Sequence, residues 1–174
     1  VTAVNALLSY FVHLCLLRST PQQLPASSVL FGLSLVANLL AGVLLVASAR
    51  ADLMMALEEG LADSLMLLAM LWVALRLQGH GGRFLQTATA LLGASAVLAL
   101  VAIPLLPIAA AQDGSRLLGE LASILLLVVL VWNMIVFGHI FRHSFNVSLA
   151  LGIGLAVAYT VFSYQVMRLL YPAA

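Results

Sequence analysis

With 64% hydrophobic and only 7% charged residues in a chain of 174, the sequence falls far below the roughly 25% charged content of water-soluble domains. A mean hydropathy of +1.19 makes lipid the expected solvent for most of its surface, and a single membrane domain is the natural count. The formal net charge of +1 gives no basic field for nucleic acid and no argument for acidic partners. All seven basic side chains are Arg, which with the Ala and Leu bias points to a GC-rich bacterial coding sequence and so to a bacterial inner membrane. The one cysteine, Cys15, leaves no internal disulfide and no Cys-based metal site within one chain, and reads as a small apolar core residue. No basic leader or A-x-A-like cleavage site marks a signal peptide.

In chain order, Val1 to Leu17 reads as an apolar helix interrupted by Asn5, Ser9 and His13, which recur every four residues and share one face. That pattern predicts an amphipathic helix (1–18) lying at the membrane interface. It ends before a linker (19–28) carrying Pro21 and Pro25, which disfavour helix at and just before themselves. A first span is expected at 29–49, with Ser27 or Ser28 as N-cap. Ser34, Asn38 and Gly42 form a small polar stripe along it, suited to close packing and an interhelical hydrogen bond. Arg50 to Asp52 is too short for anything but an antiparallel return.

The second span (52–77) is the hydrophobic stretch that carries most of the acid: Glu58, Glu59 and Asp63. Our reading divides it into an acidic lead-in from Asp52 to Gly60 at the outer surface and a clean span from Leu61, with Asp63 at the join. A glycine-rich break, Gln78 to Arg83, precedes a third span at 84–106, which stops at Pro104 and Pro107. After a loop from Ile108 to Arg116 comes a fourth span at 117–137, with Glu120 in its first turn, where an acid suits the helix dipole, and Asn133 near its far end. A second loop, Gly138 to Asn146, leads to the last span at 147–170, where Gly152, Ala156 and Thr160 make another small stripe. The fold class expected is therefore all-α, a five-span transmembrane bundle. Arg18, Arg76, Arg83 and Arg142 on one side against Arg50, Arg116 and Arg168 on the other put the N-terminus in the cytoplasm and the C-terminus in the periplasm.

The order of these features resembles the Yip-domain family, the Ypt-interacting proteins and their bacterial relatives. The residues that carry the resemblance are the linker Pro21 to Pro25, the run Gly79-His80-Gly81-Gly82-Arg83-Phe84, and Thr87-Ala88-Thr89-Ala90-Leu91-Leu92-Gly93-Ala94-Ser95 leading to Pro104. The resemblance implies a five-helix fold behind an N-terminal helix and a role in membrane interaction. Eukaryotic members bind small GTPases through a cytoplasmic N-terminal region that is almost absent here.

Two readings of the polar residues stay open. An ionisable side chain within a membrane costs about 2.5 kcal/mol or more and by default points to function. Glu59 and Asp63, four residues apart, share a helix face, and with Asn38 and Asn133 they are candidates for a proton or cation site. The same acids would also serve as an interfacial patch paired with Arg50 or Arg116. His139 and His143 have an i, i+4 spacing that suits a metal, but without a third ligand they read, with Arg142, as contacts to lipid headgroups. No phosphate loop, dinucleotide fingerprint, zinc motif or nucleophile elbow is present, so neither catalysis nor a cofactor is expected. The leading expectation is an interaction or scaffold protein that packs against itself or another membrane protein. The alternative is a small transporter or channel subunit using Asp63.

Overall fold

Helix accounts for nearly all of the chain because in lipid every backbone polar group must find its partner within the segment. The computed structural model describes residues 2–49, 53–111 and 116–171. Over these residues run α1 (Thr2–Cys15), α2 (Ser28–Ala49), α3 (Leu53–Leu77), α4 (Phe84–Ala102), α5 (Leu105–Ala110), α6 (Arg116–Phe145) and α7 (Leu149–Leu170), with single 3-10 turns at Pro21–Gln23 and Gly81–Arg83. Five of them, α2, α3, α4, α6 and α7, are long and apolar enough to cross a bilayer. The chain is an all-α polytopic membrane bundle.

The bundle is built around α4. Over half of its span, 56%, is buried, against 11% to 22% for the other four, and it touches α1, α2, α3, α5 and α6. Its composition explains the position, since Ala88, Ala90, Gly93, Ala94 and Ala96 keep its surface thin enough for neighbours on every side. On one flank α2 pairs with α3; on the other α6 pairs with α7. The second pair is drawn together by glycine: a Cβ at Gly152 would overlap the Gly138 carbonyl, and one at Gly138 would meet Ile153.

That crossing corrects two of the expected boundaries. The fourth span does not stop at Phe137, and Gly138 to Asn146 is no loop. The helix continues to Phe145, because Gly138 serves close packing rather than chain reversal. At about 1.5 Å per residue α6 is roughly 45 Å long, more than a hydrocarbon core requires. Its end carbonyls are satisfied by side chains from elsewhere: Arg83 Nη1 donates to the Ser144 carbonyl at 3.2 Å and Gln22 Nε2 to that of His143 at 2.7 Å. Reversal falls instead on Asn146 at φ 58°, where the left-handed region favours Asn over other non-glycine residues. Ser148 then caps α7, accepting from the Leu151 N–H.

The third span also differs, breaking at Ile103–Pro104, before the short α5 that packs along α6. The second span is one uninterrupted helix from Leu53 to Leu77 rather than a surface lead-in followed by a shorter span, and Ala56, in its first turn, is fully buried. Of the expected connections, Arg50 to Asp52 and the 112–115 part of the Ile108 to Arg116 loop lie outside the described residues, while Ile108 to Ala110 is helical in α5 and Arg116 begins α6.

Helix α1 keeps its amphipathic pattern, with Asn5, Ser9 and His13 exposed and Phe11, Leu14 and Cys15 buried. It packs on the bundle along α4. The Phe11 ring occupies the space where Gly93 lacks a Cβ, and Trp132 Nε1 donates to the Cys15 carbonyl at 2.9 Å. Gly93 lies about 13 Å into α4 at 1.5 Å per residue, so α1 is wedged against the middle of that helix. Gly93→Leu is expected to overlap the Phe11 ring, unseat α1 and cost about 1–3 kcal/mol as an overpacking change. Maleimide labelling of the single cysteine checks this: Cys15 should be slow in the parent and fast in the variant.

Candidate functional site

Polar residues near the midpoints of α2, α3 and α7 come together. Asp63 lies about 15 Å along α3, Asn38 about 15 Å along α2, and Tyr159 about 15 Å along α7, at 1.5 Å per residue. The Asp63 carboxylate turns inward and takes two hydroxyl donors on one oxygen: Tyr159 Oη at 3.0 Å and Ser163 Oγ at 2.5 Å, both to Oδ1. Tyr159 and Ser163 are four residues apart, so a single face of α7 delivers both. Beside them Asn38 Nδ2 donates to Ser64 Oγ at 3.2 Å, the interhelical hydrogen bond that the small polar stripe of α2 implies, now joining α2 to α3.

These groups border a cavity of about 320 Å³ between α2, α3, α4, α6 and α7, whose lining includes Asn38, Asp63, Ser64, Ser95, Asn133 and Tyr159. A second space of about 450 Å³ shares Asp63, Ser95, Asn133 and Tyr159 and continues past Glu59 and Val46 to Met167. Val46 and Met167 lie near the C-terminal ends of α2 and α7, and Glu59 near the start of α3, so this space is a vestibule toward that end of the bundle. In the opposite direction a smaller cavity of about 130 Å³ runs to Gln78 and Phe145, again with Tyr159 in its wall. Tyr159 thus stands where three spaces meet, its hydroxyl fixed on Asp63.

The bonding pattern of the site is uneven. Asp63 Oδ1 carries both hydroxyl bonds, while among the described residues none donates to Oδ2, to Asn133 or to Ser95. Polar groups at this depth normally bond to the protein, so groups left facing open volume are suited to hold something else. Among the described residues no Arg, Lys or His lines either of these two spaces, and the ionisable acids there are Asp63 and Glu59.

The candidate residues therefore divide. Asp63, Asn38 and Asn133 share the main cavity, Asn133 being well inside the long α6 rather than near its end. Glu59 lines the vestibule, with Asp63 between it and the bundle centre, and Glu58 is exposed. At the other end of the bundle His139 is not turned to the headgroups. It is buried, its Nε2 2.9 Å from the Ser19 carbonyl and its ring 4.7 Å from that of His143 in a T-shaped contact; the linker, held there by Gln22 and Gln86, covers it. Arg142 does face outward. Sequence reasoning missed Ser64, Ser95, Tyr159 and Ser163. The signal was the i, i+4 spacing of Tyr159 and Ser163 in an otherwise apolar helix; the neighbouring Thr160, singled out for its place in the small stripe, instead donates back to the Ala156 carbonyl.

In comparisons with protein-family models, curated proteins and solved structures, nothing matches this chain. Geometry alone therefore carries the functional argument.

The vestibule makes a prediction of its own. In a Cys15→Ala background, single cysteines at Val46 and Met167 should react in intact vesicles with a membrane-impermeant thiol reagent from one side. A cysteine at the fully buried Leu75 should not react from either. Equal protection at all three positions would mean that the vestibule is closed.

Proposed function

We propose that this chain is a small membrane transporter or channel subunit whose proton or cation site is centred on Asp63. The observation that carries the reading is the Asp63 carboxylate in the wall of a cavity of about 320 Å³, held at mid-span by Tyr159 and Ser163 through Oδ1 alone. A purely structural acid at that depth would be expected to have its bonding satisfied within the bundle, given the cost of burying it. Ser95 and Asn133 offer neutral oxygens across the cavity, and Glu59 stands on the approach. We assign no catalytic activity and no cofactor. The proposed setting is a bacterial inner membrane, with the Arg83 and Arg142 end cytoplasmic by the arginine bias.

An interaction or scaffold role of the Yip-like kind is a second reading. It is supported by the low burial of α2 and α7, 11% and 17%, which leaves broad faces for lipid, a second copy or another membrane protein. The two readings are compatible, since a transport subunit also assembles.

Reconstitution into liposomes with an internal pH-sensitive dye and an imposed cation gradient tests the leading reading. The parent should move protons or cations, and Asp63→Asn, which keeps the shape but removes the charge, should cut the flux about tenfold or more. Equal, negligible flux in both would sink the transport reading, while purification with a stoichiometric protein partner would then favour the scaffold.

A further inference from the structure

We infer that the ligand of the Asp63 cavity is a small organic cation, a protonated amine carrying an apolar body. The inference rests on the reading of Asp63 as a binding site and names what that site would take.

Charge gives the first argument. Among the described residues the lining of these two spaces contains carboxylates and no Arg, Lys or His, so an anion would meet repulsion in a low-dielectric setting, while a cation would supply the countercharge that the hydroxyls of Tyr159 and Ser163 provide only in part. Size gives the second. A cavity of about 320 Å³ is at the lower end of the range of about 300–1,000 Å³ usual for small-molecule sites and far exceeds the volume of a bare ion. Wall chemistry gives the third. Hard inorganic cations demand a shell of six or more oxygens, but here Asp63, Asn38, Ser95 and Asn133 share the walls with Leu39, Leu67, Leu98, Leu126, Val129 and Phe137. An ammonium group would sit against Asp63 Oδ2 with its hydrogens shared with the neutral oxygens, and its hydrocarbon would fill the leucine-lined remainder. The rings of Phe137 and Tyr159 in the same wall add a surface that attracts cations. The vestibule past Glu59 gives the ligand a negatively charged approach.

Binding of phenethylammonium to the purified full chain in detergent or nanodiscs, measured by calorimetry, tests this, with 2-phenylethanol as the neutral analogue and sodium as the inorganic cation. Saturable binding of phenethylammonium at one per chain is expected, weakened about tenfold or more by Asp63→Asn, as loss of a charge-assisted contact implies, with 2-phenylethanol binding far more weakly. Ala99→Leu, in the wall of the same cavity, provides a second variant that leaves the carboxylate, its hydroxyl partners and the neutral oxygens intact but fills the cavity. It should abolish phenethylammonium binding while leaving any Asp63-dependent proton or sodium response in place. Equal binding of the alcohol and the ammonium, or binding indifferent to both substitutions, would overturn the inference. A sodium or proton response that depends on Asp63, without phenethylammonium binding, would overturn the substrate class alone and leave the site standing. If neither ligand nor flux depends on Asp63, both the inference and the reading beneath it fail.

Discussion

The architecture depends on how one carboxylate is kept at mid-span. A charged or strongly polar group in hydrocarbon must face the bundle interior and find partners there, and Asp63 finds them on α7, in the hydroxyls of Tyr159 and Ser163. Helices α3 and α7 approach each other closely at few positions, so these bonds hold together two helices that packing alone leaves apart. The cavity lies beside this contact, walled by α2, α3, α4 and α6 with Tyr159 of α7. Polar satisfaction and open volume are thus two aspects of the same arrangement, which sets this region apart from the tightly filled contacts elsewhere.

Those contacts follow a different rule. With no gain from moving apolar side chains out of lipid, membrane helices associate through close packing of small residues and through hydrogen bonds. Gly93 seats Phe11, Gly138 and Gly152 bring α6 against α7, and alanines keep α4 thin at the centre. Gly42 and Gly60 behave otherwise. Both line the cavity, and at Gly42 an added Cβ would meet nothing within 4 Å, so there the missing side chain leaves room for something else. The linker from Ser19 to Leu24 seals the opposite end, where its carbonyls and Gln22 meet His139, Gln86 and the last carbonyls of α6.

Much of this was legible in the sequence. Five apolar runs of sufficient length specify the class of fold almost by themselves, and an acid inside one of them marks Asp63 as the residue to explain. Asn38 was visible for the same reason. Where the reading failed, it failed because a residue's meaning depended on its tertiary neighbours. Gly138 beside histidines and an arginine has the composition of a loop, yet Gly152 opposite it and Arg83 and Gln22 at its helix end make continued helix the better solution. The amphipathic face of α1 does not show by itself that it packs on α4; the fit of Phe11 to Gly93 appears only in the tertiary structure. Tyr159 and Ser163 carry no charge, and hydroxyls in membrane helices commonly bond back to their own backbone, so nothing local marked them as partners of an acid nearly a hundred residues away.

Everything turns on Asp63 lining an interior space at mid-span while accepting its two hydroxyl bonds on one oxygen. Reaction of the protein in its membrane with a hydrophobic carbodiimide, followed by peptide mass spectrometry, tests this most directly because the reagent seeks carboxyl groups within the apolar phase. Modification at Asp63, slowed by phenethylammonium, is the expected result. Modification confined to the exposed Glu58 and Glu120, with Asp63 untouched, would contradict it.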